Sequence, residues 1–228
     1  MSSAVGLGRG LGARLRKATQ DLHRQVEGAG IMPALLRGQL DLPTYCALLR
    51  NLHAIYAALE AALIRHAGHP DVAPVFFPAL FRLAALADDL SVLHGKPWAQ
   101  DLALQTATLR YVARLQALEA SHPEWLAAHA YVRYLGDLSG GQMLGQIVSE
   151  LFQLDADVGT HFYDFGGPES VASHQSVFRA GLSAIAADEA RIGELVAEAS
   201  MAFELHRELF VELAAPASAA IATAGLGL

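Results

Sequence analysis

The chain has 228 residues, of which 53% are hydrophobic and 17% charged, with a net charge of −7 at pH 7. This composition excludes a largely disordered protein, and the negative charge argues against general nucleic-acid binding. Because Cys46 is the single cysteine, an intrachain disulfide is excluded, which fits a reducing compartment. No secretory signal or membrane anchor is recognisable, so we expect a cytoplasmic protein.

The chain is rich in Ala and Leu and poor in alternating β-branched residues, which predicts an all-α fold. We expect one helical domain over residues 11–213, a flexible N-terminus of residues 1–10 and a flexible tail of residues 214–228. Apolar residues at helical spacing and the Gly and Pro residues between them predict helices at residues 12–27, 32–37, 42–66, 79–94, 98–120, 122–154, 169–187 and 188–213.

Particular residues mark several helix ends. In the first helix, the apolar positions include Leu15 and Ala18, and glycines follow its end. Asp41 is expected to cap the third helix. Ser121 and Glu124 have the spacing of a capping box, which predicts that the long helix begins there.

Three glycines fall within residues 136–141 of this long helix. Each glycine inside a helix costs about 0.5–1 kcal/mol relative to alanine, so the segment has a purpose other than helix formation. Gly136 and Gly140 are four residues apart and share a face that Ser139 adjoins, while Arg133 and Asp137 can form an ion pair. The exposed backbone can serve as the wall of a ligand site or as a close contact between helices, and the spacing does not separate these alternatives.

The first helix carries a polar stripe of Arg16, Gln20, His23 and Glu27. A lone helical histidine is more often structural than a ligand, but a carboxylate one turn later can orient its imidazole. Residues 1–24 contain five basic side chains and one acidic, a net of +4, so the remaining residues carry −11. Either an anionic ligand binds near this helix or the charges form a solvated face.

Other metal-binding patterns are weak. Glu119 and His122 match one Glu-x-x-His element, but di-iron helical bundles need two copies and further glutamates. Cys46 lies in an apolar helical stretch without a Cys-x-x-Cys partner, which predicts a buried thiol.

The sequence resembles the biliverdin-forming haem oxygenases. The similar segments are residues 18–27 with His23, residues 55–60, residues 73–78 and the Gly-Asp-Leu-Ser-Gly-Gly run at residues 136–141, and the likeness extends over residues 11–213. It implies a single-domain helical haem oxygenase fold with haem between the first helix and a kinked distal helix.

The resemblance also implies roles for individual residues. His23 matches the histidine that ligates the haem iron, and Glu27 matches its hydrogen-bonding partner. Asp137 matches the distal aspartate, which holds water near the iron without ligating it. The remaining matches are the glycines over the distal face, the water network and the haem-lining residues, namely Gly136, Gly140, Ser139, Tyr56, Arg133, Tyr131, Phe203 and Phe210.

Only some of the positions expected to hold the haem propionates carry the residues that are common in the family. Arg16 and Arg179 match basic positions of the family, whereas Gln20 and Gln175 replace common lysines and His206 replaces a common asparagine. With both arginines retained, we expect cleavage at the α-meso carbon.

The resemblance therefore implies an enzyme that opens haem to biliverdin with release of CO and ferrous iron. It would use O₂ and an external electron donor such as a ferredoxin or a reductase, since the chain has no flavin or nicotinamide motif, and a bilin-binding photoreceptor is a possible acceptor of the product. The alternatives are a haem carrier or sensor on the same fold and a purely structural helical protein. We expect neither nucleic acid nor a membrane anchor among the partners.

Overall fold

The computed structural model describes residues 10–156 and 158–215. Within these ranges the chain forms α-helices and short 3-10 helices and no β-strand, which confirms the predicted all-α class. Apart from Gly10, Ala214 and Ala215, the predicted flexible ends lie outside the described residues. The α-helices are α1 (Leu11–Glu27), α2 (Met32–Leu36), α3 (Leu42–Arg65), α4 (Leu83–Leu93), α5 (Trp98–Asp101), α6 (Thr106–Ser121), α7 (Leu126–Phe152), α8 (Pro168–Ala184) and α9 (Glu189–Ala214).

Helix α1 packs along α9 and ends at Glu27, followed by Gly28, as the sequence predicts. Gly30 follows with φ +52°, and a Cβ there would lie 1.9 Å from the carbonyl oxygen of Phe210, so the chain needs glycine for this close approach. The predicted apolar face is wrong at Ala18, which is exposed. Thr19 is buried instead, and its hydroxyl is satisfied by donating to the Leu15 carbonyl oxygen at 2.8 Å.

Helix α3 runs through the middle of the core. The Asp41 side chain accepts a hydrogen bond from the Thr44 backbone at 2.8 Å, which confirms the predicted cap. Cys46 is buried, also as predicted. By length and composition α3 is apolar enough to cross a membrane, but 56% of its most apolar 18-residue window is buried inside the protein, which is typical of a core helix.

The prediction of one helix over residues 79–94 is wrong at its start. Pro78–Leu80 form a 3-10 helix, and α4 begins at Leu83. The reason is a tertiary cap: the buried Glu60 carboxylate of α3 accepts hydrogen bonds from the backbone N–H groups of Arg82 and Leu83.

The predicted single helix over residues 98–120 is also wrong, since residues 102–105 separate α5 from α6. The backbone N–H of Gln105 donates to the Asn51 side chain at 2.8 Å. The Glu212 carboxylate of α9 then accepts from the backbone N–H groups of Thr106 and Ala107. Distant side chains thus fix where α6 begins.

The predicted capping box is wrong as well. Ser121 ends α6 and its hydroxyl donates to the Ala117 carbonyl oxygen, while α7 begins only at Leu126. His122 stacks on the Trp125 ring at 4.3 Å, which stabilises the 3-10 helix Pro123–Trp125 between the two helices.

The last three helices complete the fold. Helix α7 continues through its glycines to Phe152, two residues earlier than predicted. Helix α8 ends at Ala184, three residues before its predicted end, and Asp188 caps α9 through the Arg191 N–H. Both α1 and α7 pack on α9, and a cleft remains between them.

Candidate functional site

The cleft consists of two adjoining cavities. The outer cavity has a volume of about 660 Å³ and is lined by residues of α1, α7, α8 and α9, while the inner cavity is about 280 Å³. His23, Gly136 and Phe203 line both of them, so the two cavities adjoin at these residues. Their sizes are those of a pocket for a cofactor or a small molecule.

His23 lies on the α1 side of the cleft. Its side chain is 50% exposed, and its Nδ1 atom lies 3.5 Å from Oε1 of Glu27. The imidazole and the Phe203 ring of α9 form a T-shaped contact, with the centroids 6.0 Å apart. Because Glu27 approaches Nδ1, the Nε2 atom is the one left to ligate a metal.

The α7 side of the cleft contains little but backbone at Gly136. A Cβ built there meets no atom within 4 Å, and one at Gly140 meets only the Leu144 side chain at 3.9 Å. In contrast, a Cβ at Gly145 would lie 3.1 Å from the Tyr163 Cβ. The α7 glycines therefore lie on two faces of the helix. Gly136 and Gly140 border open space, whereas Gly141 and Gly145 allow α7 to pack against the segment that contains Tyr163.

Asp137 is held at the inner cavity by two donors. Nη2 of Arg133 donates to Oδ1 at 2.7 Å, and the Tyr56 hydroxyl donates to Oδ2. Nε of Arg133 donates in turn to the Tyr56 oxygen at 3.0 Å. Burial raises the pKa of Asp137, and the Arg133 cation and the Tyr56 hydroxyl oppose that shift. The carboxylate is thereby fixed in place with further lone pairs able to accept hydrogen bonds.

His206 contacts the third nitrogen of the Arg133 guanidinium. Nη1 of Arg133 lies 3.0 Å from Nε2 of His206. Since arginine can only donate, Nε2 must accept and the proton of the neutral ring must lie on Nδ1. Burial, followed by the Arg133 charge, holds the pKa of His206 well below its ordinary value. The Nδ1 atom is buried and has no hydrogen-bond partner among the described residues.

The outer cavity has a basic side. Arg16 of α1, Tyr131 of α7 and Arg179 of α8 all line it. Burial raises the pKa of Tyr131, while a hydrogen bond with Thr19 and the charges of Arg16 and Arg179 oppose the increase. Two guanidinium groups at the mouth of one cavity can bind carboxylates.

The structure brings the predicted site residues together. Of the fourteen, thirteen line one or both cavities, including Glu27, Ser139, Phe203 and Phe210. Tyr56 is the exception, because it is fully buried behind Asp137 and reaches the cleft only through that side chain.

Sequence reasoning missed several lining residues. Thr19 lies one turn before His23 on the same helix face, and its hydroxyl is 3.2 Å from the Tyr131 hydroxyl, so the stripe of α1 contained the signal. Phe162 and Tyr163 line the inner cavity from the 3-10 helix His161–Tyr163. They had no such signal, because the buried Asp89 carboxylate of α4 positions that turn by accepting hydrogen bonds from its backbone.

The residues present fit a porphyrin ligated by one histidine. They combine a half-exposed imidazole, a glycine wall that side chains would fill and a basic cavity mouth. Throughout residues 10–156 and 158–215, no group of three or more His, Cys, Asp or Glu side chains is placed to hold a bare metal ion. Glu119 of the Glu-x-x-His element pairs instead with Arg65.

Comparison with known proteins gives a consistent result. The sequence model of the heme oxygenase family matches residues 9–212. Heme oxygenase 2 of Synechocystis sp. is 38% identical over 206 residues, covering 89% of this chain and 82% of that protein. A heme oxygenase of Takifugu rubripes is also 38% identical over 206 residues, which are 90% of this chain and 74% of that protein.

Solved structures agree with the sequence matches. The crystal structure of heme oxygenase-2 from Synechocystis sp. PCC 6803 in complex with heme and NO superposes with a TM-score of 0.87 at 38% identity, covering 90% of this chain and 85% of that one. Heme oxygenase from Leptospira interrogans gives a TM-score of 0.84 at 30% identity, covering 90% of this chain and all of that one.

Proposed function

The chain belongs to the haem oxygenase family, whose members are oxidoreductases that degrade haem, and we propose that it opens haem at the α-meso carbon to give biliverdin. The reaction consumes O₂ and external electrons and releases CO and ferrous iron. Haem supplies both the substrate ring and the iron at which O₂ reacts.

One observation carries this proposal. A half-exposed histidine, with a carboxylate oxygen 3.5 Å from its Nδ1 atom, lines the same cleft as glycine backbone that borders open space. His23 would ligate the iron through Nε2, with Glu27 setting the ring orientation. Gly136 and Gly140 would let the α7 backbone approach the opposite face of the porphyrin, with Ser139 beside them.

Asp137 supports an enzyme rather than a carrier. Its two oxygens are anchored by Arg133 and Tyr56, so the carboxylate is aimed by the protein and cannot swing freely. In that position it would accept hydrogen bonds from water in the inner cavity. Such water can deliver protons during turnover, whereas simple haem storage has no use for it.

The basic mouth of the cleft supports the expected regiochemistry. Arg16 and Arg179 would bind the two propionates and fix the rotation of haem in its plane, and Tyr131 lines the same cavity. We propose the α isomer on this basis, although Gln20 and Gln175 supply no charge. Chromatography of the bilin product tests this directly, since mainly β or δ isomers would contradict it.

The electrons come from a separate protein, as is general for the family. We propose a cytoplasmic ferredoxin or reductase whose acidic surface matches the basic first helix. A bilin-binding photoreceptor is the proposed acceptor of biliverdin if the enzyme supplies pigment.

The decisive experiment compares His23→Ala with His94→Ala. His94 is also a histidine beside a carboxylate, at 3.2 Å from Asp101, but it lies outside the cleft. With haem, O₂ and a reductant, the unmodified protein and His94→Ala should lose the Soret band and produce biliverdin. His23→Ala should lose normal ligation and turnover. A stable Soret band in the unmodified protein would instead indicate a haem carrier or sensor.

A further inference from the structure

Gln175 bridges the cleft mouth and the α7 backbone. Its Nε2 donates to the Leu138 carbonyl oxygen at 3.0 Å, at a point of α7 between Gly136 and Gly140. Its Oε1 accepts from Nη1 of Arg179, one turn later on α8, at 3.3 Å. The side chain is half-buried, whereas Arg179 is exposed and lines the outer cavity.

The glutamine amide makes both contacts because it carries a donor and an acceptor, which neither a lysine nor a glutamate combines. A lysine at this position could donate to the Leu138 carbonyl but could accept nothing from Arg179, and its charge would repel the guanidinium. A glutamate could accept from Arg179 but could not donate to the carbonyl. Glutamine at position 175 therefore provides a connection that a lysine does not.

The point of attachment matters because the Leu138 carbonyl lies between Gly136 and Gly140, the two glycines that border the cleft. The neighbouring Asp137 and Leu138 side chains also hold α7 there. Gly136 has no side chain and borders open space, so packing contributes little to the position of the backbone there. A carbonyl has two lone pairs and can keep its helical bond while accepting from Gln175. The amide thus ties the middle of the glycine segment to α8.

We propose that Gln175 is a positioning residue that couples the binding of a carboxylate at Arg179 to the placement of the α7 glycine segment. The carboxylate would be a haem propionate, so this part rests on the proposed function. When Arg179 turns to the carboxylate, it no longer donates to Oε1 of Gln175, and the Gln175 amide is free to change its hydrogen bond to the Leu138 carbonyl. Propionate binding would in this way adjust the position of α7, which faces the porphyrin opposite His23.

The first test needs no haem. Hydrogen exchange in the ligand-free protein should show the amides of residues 140–144 exchanging faster in Gln175→Ala and Gln175→Glu by roughly two- to tenfold, the effect of losing one hydrogen bond. Gln175→Lys keeps the donor and should stay near the unmodified rate. Gln116→Ala, an exposed glutamine of α6, is the control. Equal exchange in Gln175→Ala and Gln116→Ala would overturn the anchoring role.

The second test separates coupling from anchoring. Arg179→Ala should change exchange of residues 140–144 in the unmodified background but not together with Gln175→Ala. Haem and haem dimethyl ester, whose propionates are esterified, should shift this exchange differently in the unmodified protein and equally in Gln175→Ala. Identical shifts in the unmodified protein would overturn the coupling. If the Soret band of added haem stayed that of free haem, the proposed function would fail while the ligand-free result stood.

Discussion

Asp137 has an unusually complete set of neighbours. Arg133 uses all three guanidinium nitrogens, toward Asp137, Tyr56 and His206, so its rotation is fixed. A planar fork held at three points cannot follow a moving carboxylate, and Asp137 therefore keeps one position. This rigidity is what a residue that orients water needs, because a displaced acceptor would misplace the water and the proton it delivers.

Asp137→Ala should separate binding from chemistry. The change leaves His23, the glycine wall and the basic mouth intact, so haem should bind with nearly unchanged affinity in a spectrophotometric titration. Without the carboxylate the water is no longer oriented, and biliverdin formation should fall by roughly 10²-fold, the usual contribution of positioned proton transfer. Asp137→Asn is the isosteric comparison. A normal rate of biliverdin formation in Asp137→Ala would refute the assigned role.

At the scale of the element, the glycines of α7 both line the ligand cleft and allow close packing against a neighbouring segment. Spacing alone left its glycines equally consistent with a ligand wall and with helix packing, because a helical repeat does not say which face meets a neighbour. The folded chain uses both: Gly136 and Gly140 border the cleft, while Gly141 and Gly145 accommodate the Tyr163 segment. The glycine spacing therefore predicted that α7 has an exposed backbone face, but not which glycines line the cleft and which pack against another segment.

The ends of the helices were predictable where residues close in the sequence determine them. The Asp41 and Asp188 caps depend on residues three positions away, and both are visible in the sequence. The starts of α4 and α6 were not predictable, because Glu60 and Glu212 cap them from other helices. The false capping box at Ser121 shows the same limit, since a motif with correct spacing does not form when tertiary packing ends the helix first.

Gly136→Ala should distinguish a ligand wall from a structural glycine. A Cβ at Gly136 meets no protein atom within 4 Å, and the same is true at the exposed Gly193 of α9. Both alanine variants should therefore raise the free energy of unfolding slightly, by up to about 1 kcal/mol, through helix propensity. Only Gly136→Ala should weaken haem binding, because its methyl group enters the cleft. Thermal melts and haem titrations of the two variants provide the measurement. Equal haem affinities would contradict the proposal that Gly136 forms a wall of the haem site.

At the scale of the whole molecule, a buried polar chain joins three helices beneath the cleft. The Tyr111 hydroxyl of α6 and Nδ1 of His129 in α7 are 3.0 Å apart, and Nε2 of His129 lies 2.8 Å from the Glu198 carboxylate of α9. Arg114 of α6 donates to the same carboxylate at 3.0 Å. Because Nε2–H donates to Glu198, Nδ1 accepts from Tyr111, and every hydrogen bond points toward the one carboxylate. The Tyr111 ring also packs on His206, with centroids 5.0 Å apart, so this chain supports the inner cavity from behind.

Glu198→Gln should show how much of the fold depends on that carboxylate. Although burial alone would raise the pKa of Glu198, hydrogen bonds from His129 and Arg114 lower it to about 2. A carboxyl group with a lowered pKa stabilises the folded state above its ordinary pKa of about 4.5, and this stability is lost as the pH falls toward 2. The shift corresponds to about 3 kcal/mol at pH 7. Denaturant unfolding at a series of pH values should therefore show Glu198→Gln destabilised at pH 7, with a smaller loss of stability between pH 4.5 and 2.

The matched control is Glu208→Gln. Glu208 also joins α9 to α6, through Arg110 at 2.7 Å, but this pair is exposed to solvent. An exposed ion pair contributes at most about 1 kcal/mol, so the variant should unfold almost like the original protein at pH 7. Equal destabilisation by the two substitutions would mean that the buried chain adds nothing beyond an ordinary contact between α6 and α9. A larger effect of Glu198→Gln, accompanied by weaker haem binding, would instead show that the same carboxylate that stabilises the helices also shapes the inner cavity through Tyr111 and His206.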